Sequence, residues 1–151
     1  MMKRIKKVKL TDRKVHVDYL EMLPGGIVVG RSITTTERPA PSLADTMQAL
    51  AKHVIEICEL PDEWRSGLKV TGLLLSWSNK IMGATIVCQK ILRRAGAPMR
   101  VATPHMLSAP RDGGQDYSMC LSDECVDAID AVIAETEAFI AGKRAQMNLE
   151  L

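Results

Sequence analysis

The sequence predicts an α+β fold of two sheet-and-helix halves, in the order βββα-βββα, with an antiparallel sheet and two helices. Three observations lead there. The most apolar stretch, Leu68–Thr103, is interrupted twice by turn residues and reads as a three-stranded antiparallel meander. Lys3–Thr36 holds three further β-prone segments separated by turns. Each group of strands is followed by a segment with apolar residues at helical spacing. With 46% hydrophobic residues in 151, residues 1–145 are expected to form one domain with a substantial core, followed by a tail at 146–151.

In chain order, residues 3–10 place Ile5, Val8 and Leu10 out of strict alternation, which predicts a bulge or a sheet edge. Lysines on an edge strand would also discourage edge-to-edge pairing, a reading that needs no ligand. Thr11-Asp12-Arg13 is a turn. Val15, Val17 and Tyr19 then face one way, His16 and Asp18 the other. Pro24-Gly25-Gly26 turns the chain into a third strand, Ile27–Thr36. Gly25, Gly26 and Gly30 do not make a phosphate loop, because no Walker lysine accompanies them and a strand follows.

Arg38-Pro39-Ala40-Pro41 is a stiff connector. Ser42 is expected to cap a helix starting at Leu43, with Asp45 completing a relaxed capping box. Leu43, Met47, Leu50, Val54 and Ile57 form its apolar stripe, and Pro61 ends it. His53 lies beside that stripe and is expected to be a half-buried packing residue. Asp62–Gly67 is a polar loop carrying Trp64. In the meander, Leu68, Val70, Leu73, Leu74, Leu75 and Trp77 form one apolar run, and Ser78-Asn79-Lys80 is a turn. Met82, Ala84, Ile86 and Cys88 alternate with more polar or smaller partners, and Gly96-Ala97-Pro98 breaks the chain again. Residues 104–117 are irregular, and loops of this length tend to be functional or mobile. His105 lies there and is the histidine best placed for a functional role. Ser122 is expected to cap the last helix, with Val126, Ile129, Ile133, Thr136 and Ile140 on its apolar face and Gly142 as terminator.

The net charge of +2 is too small to imply nucleic acid or membrane by itself, but its distribution is uneven. Met1–Val15 carries Lys3, Arg4, Lys6, Lys7, Lys9, Arg13 and Lys14 against Asp12. Asp116–Glu137 carries seven acids and no Lys or Arg. The four cysteines, Cys58, Cys88, Cys120 and Cys125, lack zinc-site spacing, so neither metal nor cofactor is expected. No secretory signal follows the basic start, and no run approaches the ~20 apolar residues of a membrane span. The expected location is the cytoplasm, without a membrane partner.

Paired sheet-and-helix units occur among proteins that hold single-stranded nucleic acid on a curved sheet, though fold alone does not fix function. The expected contacts to single-stranded DNA are Lys3, Arg4, Lys6, Lys7, Lys9, Arg13 and Lys14, with Arg93, Arg94 and Arg100 from the second half. Aromatics are few: Tyr19, Trp64, Trp77, Tyr117 and Phe139. Binding would therefore rest on phosphates rather than base stacking. An alternative is a protein-binding inhibitor or adaptor acting through its tail or acidic helix, without affinity for DNA. A third is a small enzyme using His105 with Asp112 or Asp116. The large apolar sheet also predicts a homo-oligomer.

The chain ends Gln146-Met147-Asn148-Leu149-Glu150-Leu151. This resembles the hexapeptide by which bacterial replication and repair proteins dock on the sliding clamp. The resemblance implies that Gln146 takes a hydrogen-bonding subsite and that Met147, Leu149 and Leu151 fill apolar ones. The lysine-rich first strand, Ile57–Pro61, Met82–Ile86, Thr103–His105 and Gly142–Gln146 together resemble small proteins from bacteriophage and prophage replication and recombination gene clusters. The resemblance implies a non-enzymatic accessory role in the bacterial host cell.

Overall fold

The computed structural model describes residues 2–145. Their fold is α+β: an antiparallel sheet with helices on one face. The strands are β1 (Met2–Leu10), β2 (Val15–Leu23), β3 (Ile27–Thr35), β4 (Leu68–Ser78), β5 (Ile81–Ile91), β6 (Pro98–Ala102) and β7 (Met106–Leu107). Their order is β3-β2-β1-β4-β5-β6, with β7 pairing to β5 beyond β6. Each half is thus a meander, and the two halves join first strand to first strand through Lys7–Lys9 and Gly72–Leu74. At the β4–β5 hairpin, Asn79 and Lys80 both take left-handed backbone (φ 50° and 65°), the geometry that matches strand twist in a tight turn.

β1 is not an edge strand. It lies between β2 and β4, so edge protection does not account for its lysines. The broken alternation is a bulge between Ile5 and Lys7. The extra residue, Lys6, resets the pleat, so that Ile5 and Val8 both enter the core while Lys7 and Lys9 point away from it.

The helical layer differs from the expected pair of helices: three helices are described. The first segment is two short helices, α1 (Pro41–Gln48) and α2 (Ala51–Cys58), followed by a 3-10 turn at Asp62–Gly67 where a loop was expected. At the break, the Gln48 side chain donates to Leu68 O (2.7 Å) and accepts from Val70 N–H (3.1 Å). It thereby serves backbone groups of β4 that lie beyond the β1 ladder. Ser42 is not the cap. Pro41 occupies the first helical position, where a missing N–H costs nothing, so the cap moves back to Ala40. The Ser42 hydroxyl instead donates to Glu135 (2.7 Å), which also pairs with Lys143.

The last helix, α3 (Asp123–Ile140), is capped as expected: Ser122 Oγ accepts from Cys125 N–H at 3.1 Å. Its buried face is rotated from the expected one. Cys125, Ile129, Val132, Thr136 and Phe139 enter the core, while Val126, Ile133 and Ile140 flank it half-buried. The Thr136 hydroxyl enters without penalty by donating to Val132 O (2.7 Å). α1 packs on α3 and β4, α2 on β4, and α3 on β1. The core therefore lies between the helices and one face of the sheet, against Ile5, Val8, Val17, Leu73 and Ile86. The opposite face carries no helix among the described residues.

Candidate nucleic-acid interface

Directly paired residues share a face of the sheet, so the register defines what the helix-free face displays. One row runs Thr34, His16, Lys9, Gly72, Val87, Ala102 from β3 to β6. The next runs Ser32, Asp18, Lys7, Leu74, Thr85. Arg4 stands opposite Leu20, and Arg100 opposite Gln89. The floor between Lys9 and Arg100 is low, because Gly72, Val87 and Ala102 carry little side chain.

Two hollows lie along this face. One of about 490 Å³ is lined by Lys6, Lys7, Asp18, Leu20, Gly30 and Ser32 among others. A smaller one of about 210 Å³ is lined by Lys7, Lys9, Gly72, Leu74, Val87 and Arg100 among others. They share Lys7 and Leu74. Among the described residues, no ion pair neutralises Arg4, Lys6, Lys7, Lys9 or Arg100.

Asp18 is the one carboxylate at a strand position of this face, and it is already engaged. It accepts from the Ser32 hydroxyl at 2.6 Å and lies 3.0 Å from His16 Nε2. The Ser32 hydrogen bond holds its carboxyl below the usual range against the opposing effect of burial, with His16 and Lys7 adding. His16 Nδ1 in turn meets Thr34 Oγ1 at 2.6 Å. The acid is thus fixed toward β3 rather than spent on the lysines.

The remaining expected contacts lie elsewhere. Lys3 pairs with Glu21 on the face that carries the helices, the opposite side from Lys7. Arg13 and Lys14 sit at the β1–β2 turn, where Thr11 Oγ1 accepts from the Lys14 N–H at 3.0 Å. They line a hollow of about 700 Å³ beside α1, the largest one described, together with Asp12, Glu37 and Asp45. Its mixed charge does not favour a polyanion. Arg93 and Arg94 are exposed in the β5–β6 turn. Gln146, Met147, Leu149 and Leu151 lie outside the described residues.

His105 does join a cluster, but not with the expected acids. Its Nε2 is 2.7 Å from Ser76 Oγ and its Nδ1 is 2.9 Å from Thr85 Oγ1. Asp116 is taken up by Ser118, which donates to it through both N–H (3.0 Å) and hydroxyl (2.6 Å). Asp112 lines the same hollow as His105 without a described bond to it. Ser76, Thr85 and Arg111 were not foreseen. Gly83 was the available signal, since a glycine inside a strand often marks a close approach. A Cβ there would lie 2.5 Å from both His105 Nε2 and Ser76 Oγ.

The aromatic side chains are absorbed elsewhere. Tyr19 and Phe139 are buried, and Trp77 donates to Ile5 O. Lys90 lies over Trp64, while Tyr117 is exposed in the long loop. Thiolate formation is disfavoured at the two buried cysteines. Burial pushes the Cys88 thiol up to about 12 and the Cys125 thiol up to about 11. Among the described residues, no group of three His, Cys, Asp or Glu is arranged to hold a metal ion. No described helix is long and apolar enough to cross a membrane. Comparison with family models, curated proteins and solved structures returned no match.

Proposed function

We propose that this chain is a non-enzymatic accessory protein of phage-type DNA replication or recombination, acting in the bacterial cytoplasm and holding single-stranded DNA across the helix-free face of its sheet. The observation that carries the reading is the unpaired set Arg4, Lys6, Lys7, Lys9 and Arg100, together with an Asp18 already committed to Ser32 and His16. Cations without a carboxylate partner are free to exchange their counterions for phosphates. Leu20, Leu74 and Val87 add apolar surface between them, which suits the exposed bases of an unpaired strand. With no aromatic on that face at the strand positions, binding rests on the backbone and is blind to sequence. Arg93 and Arg94, in the β5–β6 turn, serve as outer contacts, while Arg13 and Lys14 share their hollow with Asp12, Glu37 and Asp45 and contribute less. Lys3, on the other face, is the weakest of the expected set.

The test is a lysine-acetylation footprint with and without oligo-dT. Lys7 and Lys9 should be protected, while Lys52 and Lys143, on the helical side, should react equally in both states. Uniform protection of all four, or none at Lys7 and Lys9, would overturn the assignment.

The same proposal gives residues 146–151 to a sliding clamp. The support is the hexapeptide pattern alone. A form ending at Ala145 should lose binding to a bacterial sliding clamp while retaining oligo-dT affinity. An intact chain that does not bind the clamp would remove that partner. Homo-oligomerisation, expected from the apolar sheet, finds its best surface at β3. This is a nine-residue edge strand with Ile27 and Val28 each more than half exposed. A monomeric mass by light scattering at all concentrations would exclude it.

A further inference from the structure

We infer that the hollow beside His105 binds a phosphomonoester, the terminal phosphate of the same DNA strand. The inference rests on the single-strand reading above and extends it to the strand's end. The hollow holds about 520 Å³ and is lined by Ser76, Ser78, Asn79, His105, Arg111 and Asp112 among others. It opens on the same helix-free face as Lys7 and Arg100, since Ser76 and Thr85 project from that side of β4 and β5.

Its donors are organised. Thr85 Oγ1, His105 and Ser76 Oγ form a continuous hydrogen-bonded chain. With Thr85 donating to Nδ1, the Nε2–H donates to Ser76 Oγ, and the Ser76 hydroxyl hydrogen is left to donate to a further acceptor. An anion in the hollow selects this direction of the chain. Arg111 has no described hydrogen bond or ion pair, and its planar fork matches two phosphate oxygens. The absent side chain at Gly83 leaves the space in which His105 Nε2 and Ser76 Oγ meet. A terminal phosphate carries a second negative charge that internal phosphodiesters lack, so a site with one guanidinium and a directed hydroxyl favours the end. Asp112 opposes it and limits the gain.

The test measures binding of the full chain to internally labelled oligo-dT bearing a 5′-phosphate, a 3′-phosphate or neither, at one salt concentration. One phosphorylated form should bind about tenfold tighter than the unphosphorylated one, and which end it is identifies the polarity. Arg111→Ala and Ser76→Ala should each erase that advantage and leave the unphosphorylated oligonucleotide unaffected. Equal binding of all three forms overturns the inference and leaves the single-strand reading intact. An advantage that survives both substitutions also overturns it. If no oligonucleotide binds, the single-strand reading falls, and inorganic phosphate decides the site. A shift of the His105 ring proton resonance on phosphate addition, lost in Arg111→Ala, sustains it; no shift overturns it.

Discussion

Reversing Lys6, Lys7 and Lys9 together to glutamate lowers affinity for oligo-dT by more than about a hundredfold, because three phosphate attractions become three repulsions at close range. The fold should be retained with a modest loss of stability, because Lys7→Glu sets a second carboxylate directly opposite Asp18. Lys6 and Lys9 are exposed, Lys7 is half-buried, and none of them has an ion pair among the described residues. Lys3→Glu is the informative control. It changes net charge on the same strand but on the other face of the sheet. If face matters, it weakens binding by less than about threefold, as expected for a distant charge screened by salt. Fluorescence anisotropy measures both, with thermal melts to check the fold. A Lys3 variant as damaging per charge as the triple variant would mean that net charge, not this face, attracts the strand.

His53→Leu raises stability by about 1–3 kcal/mol, the usual cost of a buried polar group without a partner. His53 is 1% exposed, and neither ring nitrogen has a hydrogen-bond partner. The nearest acid, Glu56, is 3.9 Å away and largely exposed. Burial holds the imidazole pKa below its ordinary 6.5. Glu56 and Glu124 pull it up, and Lys52 and Arg65 push it further down. The folded chain therefore keeps His53 neutral where the unfolded chain protonates. Above pH 6.5 titration adds nothing to this cost; as pH falls below 6.5, protonation of the unfolded chain adds a further penalty to folding. Urea unfolding at pH 7.5 and pH 5.5 checks both parts. The variant should be more stable at each pH, and its advantage should be larger at pH 5.5. Lower stability at pH 7.5 would show that the ring packs better than its unsatisfied nitrogens suggest.

Both meanders were legible because each strand break is written in local chemistry: Pro24-Gly25-Gly26, Asn79-Lys80 and Gly96-Ala97-Pro98 all favour turns. The rest depended on distant partners. The irregular apolar spacing at Ile5 and Val8 was visible, but whether it meant a bulge or an edge was decided by β4, far along the chain. The bulge in turn separates Lys3 from Lys7, which charge counting treats alike. α3 offers two apolar stripes a residue apart, Val126-Ile133-Ile140 and Cys125-Val132-Phe139, and the packing surface beneath chose the second. Pro41 beside Ser42 was enough to move the first cap, a local effect that the capping pattern obscured. Ser76 and His105 are 29 residues apart and Thr85 and His105 are 20 apart, so their meeting is a product of strand register.

The central claim is that unpaired cations on the helix-free face grip a single strand by its phosphates. The most direct measurement is the affinity for oligo-dT across a series of salt concentrations. Five unpaired cations, Arg4, Lys6, Lys7, Lys9 and Arg100, predict a slope of log affinity against log salt of about −3.5, from about −0.7 per phosphate contact. The same slope should hold for other unstructured base compositions, and it should flatten by one to two units when Lys7 and Lys9 become alanine. No binding even at low salt, or an affinity indifferent to salt, would contradict the account.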